Sequence, residues 1–199
     1  MTEMKFFVYG SMSEGLVHFH KIQNLIKEST SAQIMGTAYR LKVGYPVVLN
    51  QGNDVVSGQL VELNPSEFLM NLLDQFHGVD HFEPNKSLHF RLEKTVRLED
   101  GNETSAWVYV LNPEKLPPTA TKILGGDWKA SLQTQPVLTE KLTERQRNYI
   151  MRLGSSTGRE IVPIDLPLYR ELMNLEMIVD KGRRLALSKL GHEVYRYLG

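Results

Sequence analysis

The chain has 199 residues, and its 23 Lys plus Arg are balanced by 23 Asp plus Glu. This neutrality gives no general pull toward nucleic acid, an anionic membrane or an acidic substrate. The absence of cysteine excludes disulfides, thiolate nucleophiles and zinc–cysteine sites. No run approaches the ~20 apolar residues of a membrane span, and no basic segment followed by an apolar core opens the chain. A cytoplasmic protein that does not enter a membrane is expected, of one or two domains.

Taken in order, Phe6 to Tyr9 is an aromatic and β-branched run that reads as a buried strand. It ends at Gly10-Ser11-Met12, where backbone N–H groups leave the sheet and can cradle a carboxylate or oxyanion. A Cβ at Gly10 would block close approach of a ligand to that backbone. Leu16, Phe19, Ile22, Leu25 and Ile26 repeat at helical spacing, with Ser13 as N-cap. On such a helix His18 and His20 point to different faces and cannot hold one metal.

Ile34 to Val43 alternates loosely. Gly44-Tyr45-Pro46 is a turn, Gln51-Gly52-Asn53-Asp54 reads as a hairpin, and Val55 to Leu63 is a further strand. Asn64-Pro65-Ser66-Glu67 predicts a capped helix start. Phe68, Leu69, Leu72, Leu73 and Phe76 form its apolar face, and Gly78 is its αL stop. His77 therefore ends this helix. An irregular loop with His81, Glu83 and His89 leads to a strand from Phe90 to Leu98. The turn Glu99–Asn102 then returns the chain in a strand from Ala106 to Leu111. Clustered strands with close turns favour antiparallel pairing in a curled sheet or barrel.

Composition changes near residue 138. Residues 139–199 hold 11 Lys plus Arg against 8 Asp plus Glu, whereas residues 1–138 hold 12 against 15. The later segment reads as a helix from Glu144 to Leu153 capped by Thr143, a loop at 154–158, a helix from Pro167 to Leu175, a hairpin turning at Asp180–Arg183, and a helix from Lys189 to Leu198 capped by Ser188. This order resembles a winged-helix module. Lys181, Arg183 and Arg184 would occupy the wing tip, where they could meet phosphate. The preferred reading is a packing or dimerisation appendage, because acidic residues lie among the basic ones and no helix is rich in base-reading side chains.

Several motifs together resemble the γ-glutamylcyclotransferase-like family, with its AIG2-like and YtfP-like members. They are Tyr9-Gly10-Ser11-Met12, Gly36–Leu41 with Gly44-Tyr45-Pro46, Val56–Leu60, Leu73-Asp74-Gln75-Phe76-His77-Gly78, Phe90-Arg91, Ala106–Val110 and Gly126-Asp127-Trp128. The resemblance covers about residues 4 to 130. It implies an α+β domain at 1–135, built on a small curled antiparallel or mixed β-barrel with flanking helices, ahead of the winged-helix-like extension at 139–199. It also implies cyclisation of a γ-glutamyl amine or peptide to 5-oxoproline with release of the amine, without a cofactor or metal. The substrate-binding positions it implies are Tyr9, Gly10, Ser11 and Met12, with Tyr109 lining the cavity.

The family's base is the Glu of a Leu-Asp-x-x-Glu-Gly motif, and this sequence has His77 there. Four readings stay open: His77 is a working acid–base group; Glu83 reaches in instead; catalysis is altered or lost and the pocket binds a ligand; or His77 only caps its helix. His77 and His81 have i, i+4 spacing, but Gly78 breaks the helix between them, so a metal site is not expected. Partners are a small γ-glutamyl-type ligand and, through the extension, another copy or a regulatory partner. The residues are compatible with two classes, an enzyme of this kind and a non-catalytic ligand-binding or regulatory protein whose C-terminal module contacts DNA or a partner.

Overall fold

The computed structural model describes residues 4–64, 67–157 and 160–198. Two compact units are present: Tyr45–Thr134 together with the residues up to Leu41, and Lys42–Gly44 together with the residues from Gln135.

In the first unit, five strands close on themselves: β1 (Met4–Val8), β2 (Ile26–Arg40), β3 (Pro46–Leu63), β4 (His89–Leu98) and β5 (Glu103–Leu111). Strand order is β3-β1-β5-β4-β2, and β2 pairs back onto β3. β1 runs parallel to β5, and the other pairs are antiparallel. The result is a closed mixed barrel with flanking helices. A short β6 (Thr121–Lys122) adds to β2.

Alternation along each strand separates two cores. Phe7, Ala32, Ile34, Val56, Leu60, Val96 and Val108 fill the barrel, with Trp128 buried against them. The opposite face of β1 and β5 presents Phe6, Val8 and Tyr109 to the apolar side of α1 (Glu67–His77), where Leu69 and Leu73 are buried. The indole Nε1 of Trp128 donates to the Ser57 carbonyl at 2.7 Å, which satisfies its one polar atom. Trp128 also opens α2 (Trp128–Thr134).

Gly58 sits where a Cβ would lie 2.4 Å from the Phe7 ring and 2.5 Å from the Val8 carbonyl oxygen. The latter is backbone and cannot swing away. Gly58→Ala is expected to lower stability by about 1–3 kcal/mol through overpacking, read as a lower urea midpoint at unchanged slope.

Two sequence expectations change here. The helix expected over Leu16–Ile26 is absent. Short 3-10 turns occupy Phe19–Lys21 and Gln23–Leu25, and β2 already begins at Ile26, opposite Leu63. Sheet pairing has overridden the periodicity, and the Ser13 hydroxyl is buried with no hydrogen-bond partner among the described residues rather than capping. The hairpin expected at Gln51–Asp54 is instead a bulge inside continuous β3. The register jumps from Gly36↔Asp54 to Thr37↔Leu49, Gly52 has φ +86°, and the Thr37 hydroxyl donates to the Gln51 carbonyl. The actual β2–β3 reversal uses Gly44, at φ +109°. The expected capping box falls partly on Pro65 and Ser66, which lie outside the described residues, as does the Glu67 side chain.

In the second unit, α3 (Leu138–Lys141) precedes α4 (Glu144–Ser155), which opens with a capping box between Thr143 and Gln146. α5 (Leu166–Asn174) is capped by Asp165. The hairpin β7 (Ile178–Asp180) and β8 (Leu185–Leu187) follows, and then α6 (Lys189–Arg196), capped by Ser188. Tyr149, Ile150, Leu168, Leu172, Met177, Ile178 and Val194 are buried in this unit. Gly158, within the expected loop, lies outside the described residues.

Candidate functional site

The site grows from the end of β1. Gly10–Met12 form one 3-10 turn, with Ser13 N–H donating to the Gly10 carbonyl. In such a turn the hydrogen-bond ladder starts at its third residue, so the N–H groups of Gly10 and Ser11 precede the first bond. Gly10 has φ +60°, and a Cβ there would sit 3.1 Å from Pro46 Cγ. Its glycine is therefore explained by the left-handed backbone and by Pro46, rather than by ligand approach. Ser11 is held from behind: its hydroxyl is 2.9 Å from Nδ1 of the buried His18, and its carbonyl accepts the His18 N–H.

α1 delivers His77 to this turn. The helix stops as expected at Gly78, which has φ +65°, and Val79 N–H donates to the Asp74 carbonyl. The His77 ring stacks on Tyr109, with centroids 3.9 Å apart and planes 10° from parallel. His77 Nε2 lies 3.3 Å from Met12 Sδ. A thioether only accepts, so the Nε2 proton faces Met12 and the lone pair of the neutral ring is on Nδ1. Burial pushes the His77 pKa well below its ordinary value, and the nearby His89 and His18 push it further down. His77 is thus a neutral imidazole near pH 7, which does not gain from the helix-end dipole as a cation would.

Tyr109 is tied in turn to α1. Its hydroxyl donates to Asp74 Oδ1 at 2.8 Å, and its pKa is raised, first by burial and then by the Asp74 carboxylate. Asp74 is buried, and its Oδ2 accepts from Arg91 Nη1 at 2.7 Å and from His81 Nε2 at 2.8 Å. The β4–β5 register that pairs Arg91 with Tyr109 makes this junction. His89 Nδ1 donates to the His77 carbonyl at 2.8 Å and closes the far side. Asp74 therefore ties helix to sheet and has its acceptor capacity engaged by three donors.

Met12, His77 and Tyr109 are brought into direct contact, with Gly10 and Ser11 one step away in the turn. Tyr9 faces the other way. Its hydroxyl donates to the Tyr109 carbonyl at 2.9 Å and accepts the Val48 N–H at 3.2 Å, and its ring packs with the barrel interior. Glu83 is on an exposed loop, where its carboxylate pairs with Lys86 at 2.7 Å. The three histidines have different partners: His77 contacts Met12 and Tyr109, His81 bonds Asp74, and His89 bonds the His77 carbonyl. Sequence reading named Asp74 only as part of a motif and gave His89 no role beside His77. The i, i+2 spacing of His89 and Arg91 on one strand face was the available signal.

A neutral imidazole has a stability consequence. The His77 pKa is depressed on folding, so the unfolded chain takes up the proton first. Stability should be full above about pH 6.5 and fall below it, by about 1.4 kcal/mol per pH unit for one proton. His77→Gln should flatten that fall by one proton's worth, read from urea unfolding between pH 7 and pH 5.

Fold and site together define a closed mixed barrel that carries a bent glycine turn and a helix-borne ring side by side on its outer wall. The family model described as gamma-glutamyl cyclotransferase, AIG2-like, matches residues 6–130, and the chain belongs to that family. Among solved structures, it is similar to YkqA from Bacillus subtilis, at 21% identity and a TM-score of 0.50 over 67% of this chain and 42% of that one. An AIG2-like protein from Mus musculus is similar at 19% identity and a TM-score of 0.46, over 59% of this chain and 82% of that one. The chain thus spans less than half the length of YkqA. Comparison with curated proteins gives no match. No helix among the described residues is long and apolar enough to cross a membrane.

Proposed function

We propose that this chain binds a γ-glutamyl amine or peptide at the Gly10–Met12 turn and cyclises it to 5-oxoproline only weakly. The observation that carries this reading is the neutral His77 imidazole presenting its N–H to Met12 of that turn. Ring closure needs the substrate's α-amine to attack its own γ-carbonyl, so both reactants are already in one molecule and positioning contributes much of the rate. The N–H groups of Gly10 and Ser11, which precede the first bond of that turn, are suited to a substrate carboxylate. What is missing is a base. The α-ammonium must lose a proton, and the leaving nitrogen must gain one. A ring whose lone pair lies on Nδ1 and whose basicity is depressed does this poorly. It also brings no negative charge to pair with the ammonium.

Asp74 does not substitute, because its oxygens already serve Tyr109, Arg91 and His81. Glu83 has no part in this reading. The test is 5-oxoproline release from γ-glutamyl amines by the parent and by His77→Glu. Gain of turnover in the variant supports the assignment, whereas two equally inactive proteins would remove cyclisation from this site.

A non-catalytic, regulatory reading is favoured by one feature of the second unit. The β7–β8 turn carries Lys181, Arg183 and Arg184, with Lys181 N–H donating to the Arg184 carbonyl. In a winged-helix-like module at 139–199 this turn would be the wing. A salt-dependent DNA shift by the full chain that Lys181→Glu abolishes would support that reading.

A further inference from the structure

A separate cleft of about 510 Å³ is lined by β2, β3, β4, the β4–β5 turn and the residues flanking Trp128. It lies where β2 meets β4 through only the pairs Ala32↔Leu98 and Gln33↔Arg97. So short a seam leaves the strands parted beyond it. Ala32, Gly58 and Leu98 contribute small and apolar residues to its lining. The lining also carries both signs of charge, Arg97 and Lys129 with Glu99 and Asp127, together with Ser31 and Ser57. Trp128, anchored by its bond to Ser57, fixes Asp127 and Lys129 in that lining. One carboxylate oxygen of Asp127 is used, since Oδ1 accepts the Ala130 N–H. Lys129 lies 5.8 Å from the Trp128 ring centroid. Beyond the strand pairing of Arg97, neither the Arg97 nor the Glu99 side chain makes a hydrogen bond or ion pair among the described residues.

We infer that this cleft is a second small-molecule site, for a zwitterionic peptide of two or three residues. A simple anion would meet Arg97 and Lys129 but also Glu99 and Asp127. A simple cation would meet the reverse. Only a ligand with a carboxylate at one end and an ammonium at the other satisfies both pairs, so the lining rejects singly charged molecules by repulsion as well as selecting the zwitterion. The volume lies within the range of small-ligand pockets and exceeds what a single amino acid needs. The site is independent of His77, which lies on the barrel's outer wall beside α1.

The experiment is titration of the full-length protein with triglycine, followed by amide NMR shifts or calorimetry. Acetate and ethylammonium serve as single-charge controls. Saturable triglycine binding is expected, with shifts at Ser31, Gln33, Arg97 and Lys129. Each control should bind at least about tenfold more weakly. Arg97→Gln should weaken triglycine about tenfold. Ser31→Trp, on an exposed strand position, should block it while leaving the circular dichroism spectrum unchanged. His77→Glu should leave it intact, which separates this site from the cyclotransferase reading. Acetate binding as well as triglycine would overturn the inference in favour of a plain anion site. Absence of saturation at high millimolar triglycine, or an Arg97→Gln variant that binds normally, would overturn it outright.

Discussion

His77→Glu is expected to raise 5-oxoproline release by about 10²- to 10⁴-fold, the usual contribution of a positioned acid–base group. The reason is local. The position is already built: α1 ends there, Tyr109 backs the ring, and the turn lies against its N–H. A carboxylate in that place would be an acceptor facing the turn, where the imidazole offers a donor. It would also pair with the substrate ammonium. The same burial that depresses the basicity of His77 would raise the pKa of a glutamate, moving it toward the neutral range where proton transfer works best. The change should appear in kcat more than in KM if the turn alone holds the substrate carboxylate. A variant that folds, judged by an unaltered thermal transition, yet releases no more product than the parent would remove cyclisation from this site.

The largest effect on stability is expected at Asp74. Asp74→Ala should cost about 3–5 kcal/mol, because it strands a buried Tyr109 hydroxyl and the Arg91 guanidinium together. His81 is largely exposed and should lose little. Asp74→Asn keeps an acceptor for Tyr109 but loses the charge that Arg91 needs, and should fall between parent and Ala. Tyr109→Phe removes one neutral-to-charged hydrogen bond and should cost about 1.5–3 kcal/mol. Arg91→Met with Asp74→Leu, which removes both charges, should recover part of the loss. Equal stability of Asp74→Ala and the parent in urea would mean that the helix-to-sheet junction is held by apolar packing alone.

The extent to which this molecule could be read in advance follows the range of the forces involved. Local effects are written in the chain. The Gly78 helix stop, the Thr143 and Ser188 caps and the β4–β5 turn each depend on a few adjacent residues, and the sequence alone determines them. The closed α+β core was legible too, through motifs spread along residues 4–130. The segment from Leu16 to Ile26 was misread because its spacing fits a helix while its fate was set by Leu63, far along the chain, which pairs with Ile26. Gly52 was misread because a turn residue at φ +86° serves a bulge as well as a hairpin, and only the register of the partner strand distinguishes them.

The site divides along the same line. Residue identity placed His77 at a helix end beside a glycine turn. Only the tertiary structure decided which ring nitrogen carries the proton, that Tyr109 stacks on the imidazole, and that Tyr9 turns inward while Glu83 stays on the surface. Those outcomes depend on the cross-strand register and on the burial that sets each group's protonation. Neither is a property of any short stretch of sequence.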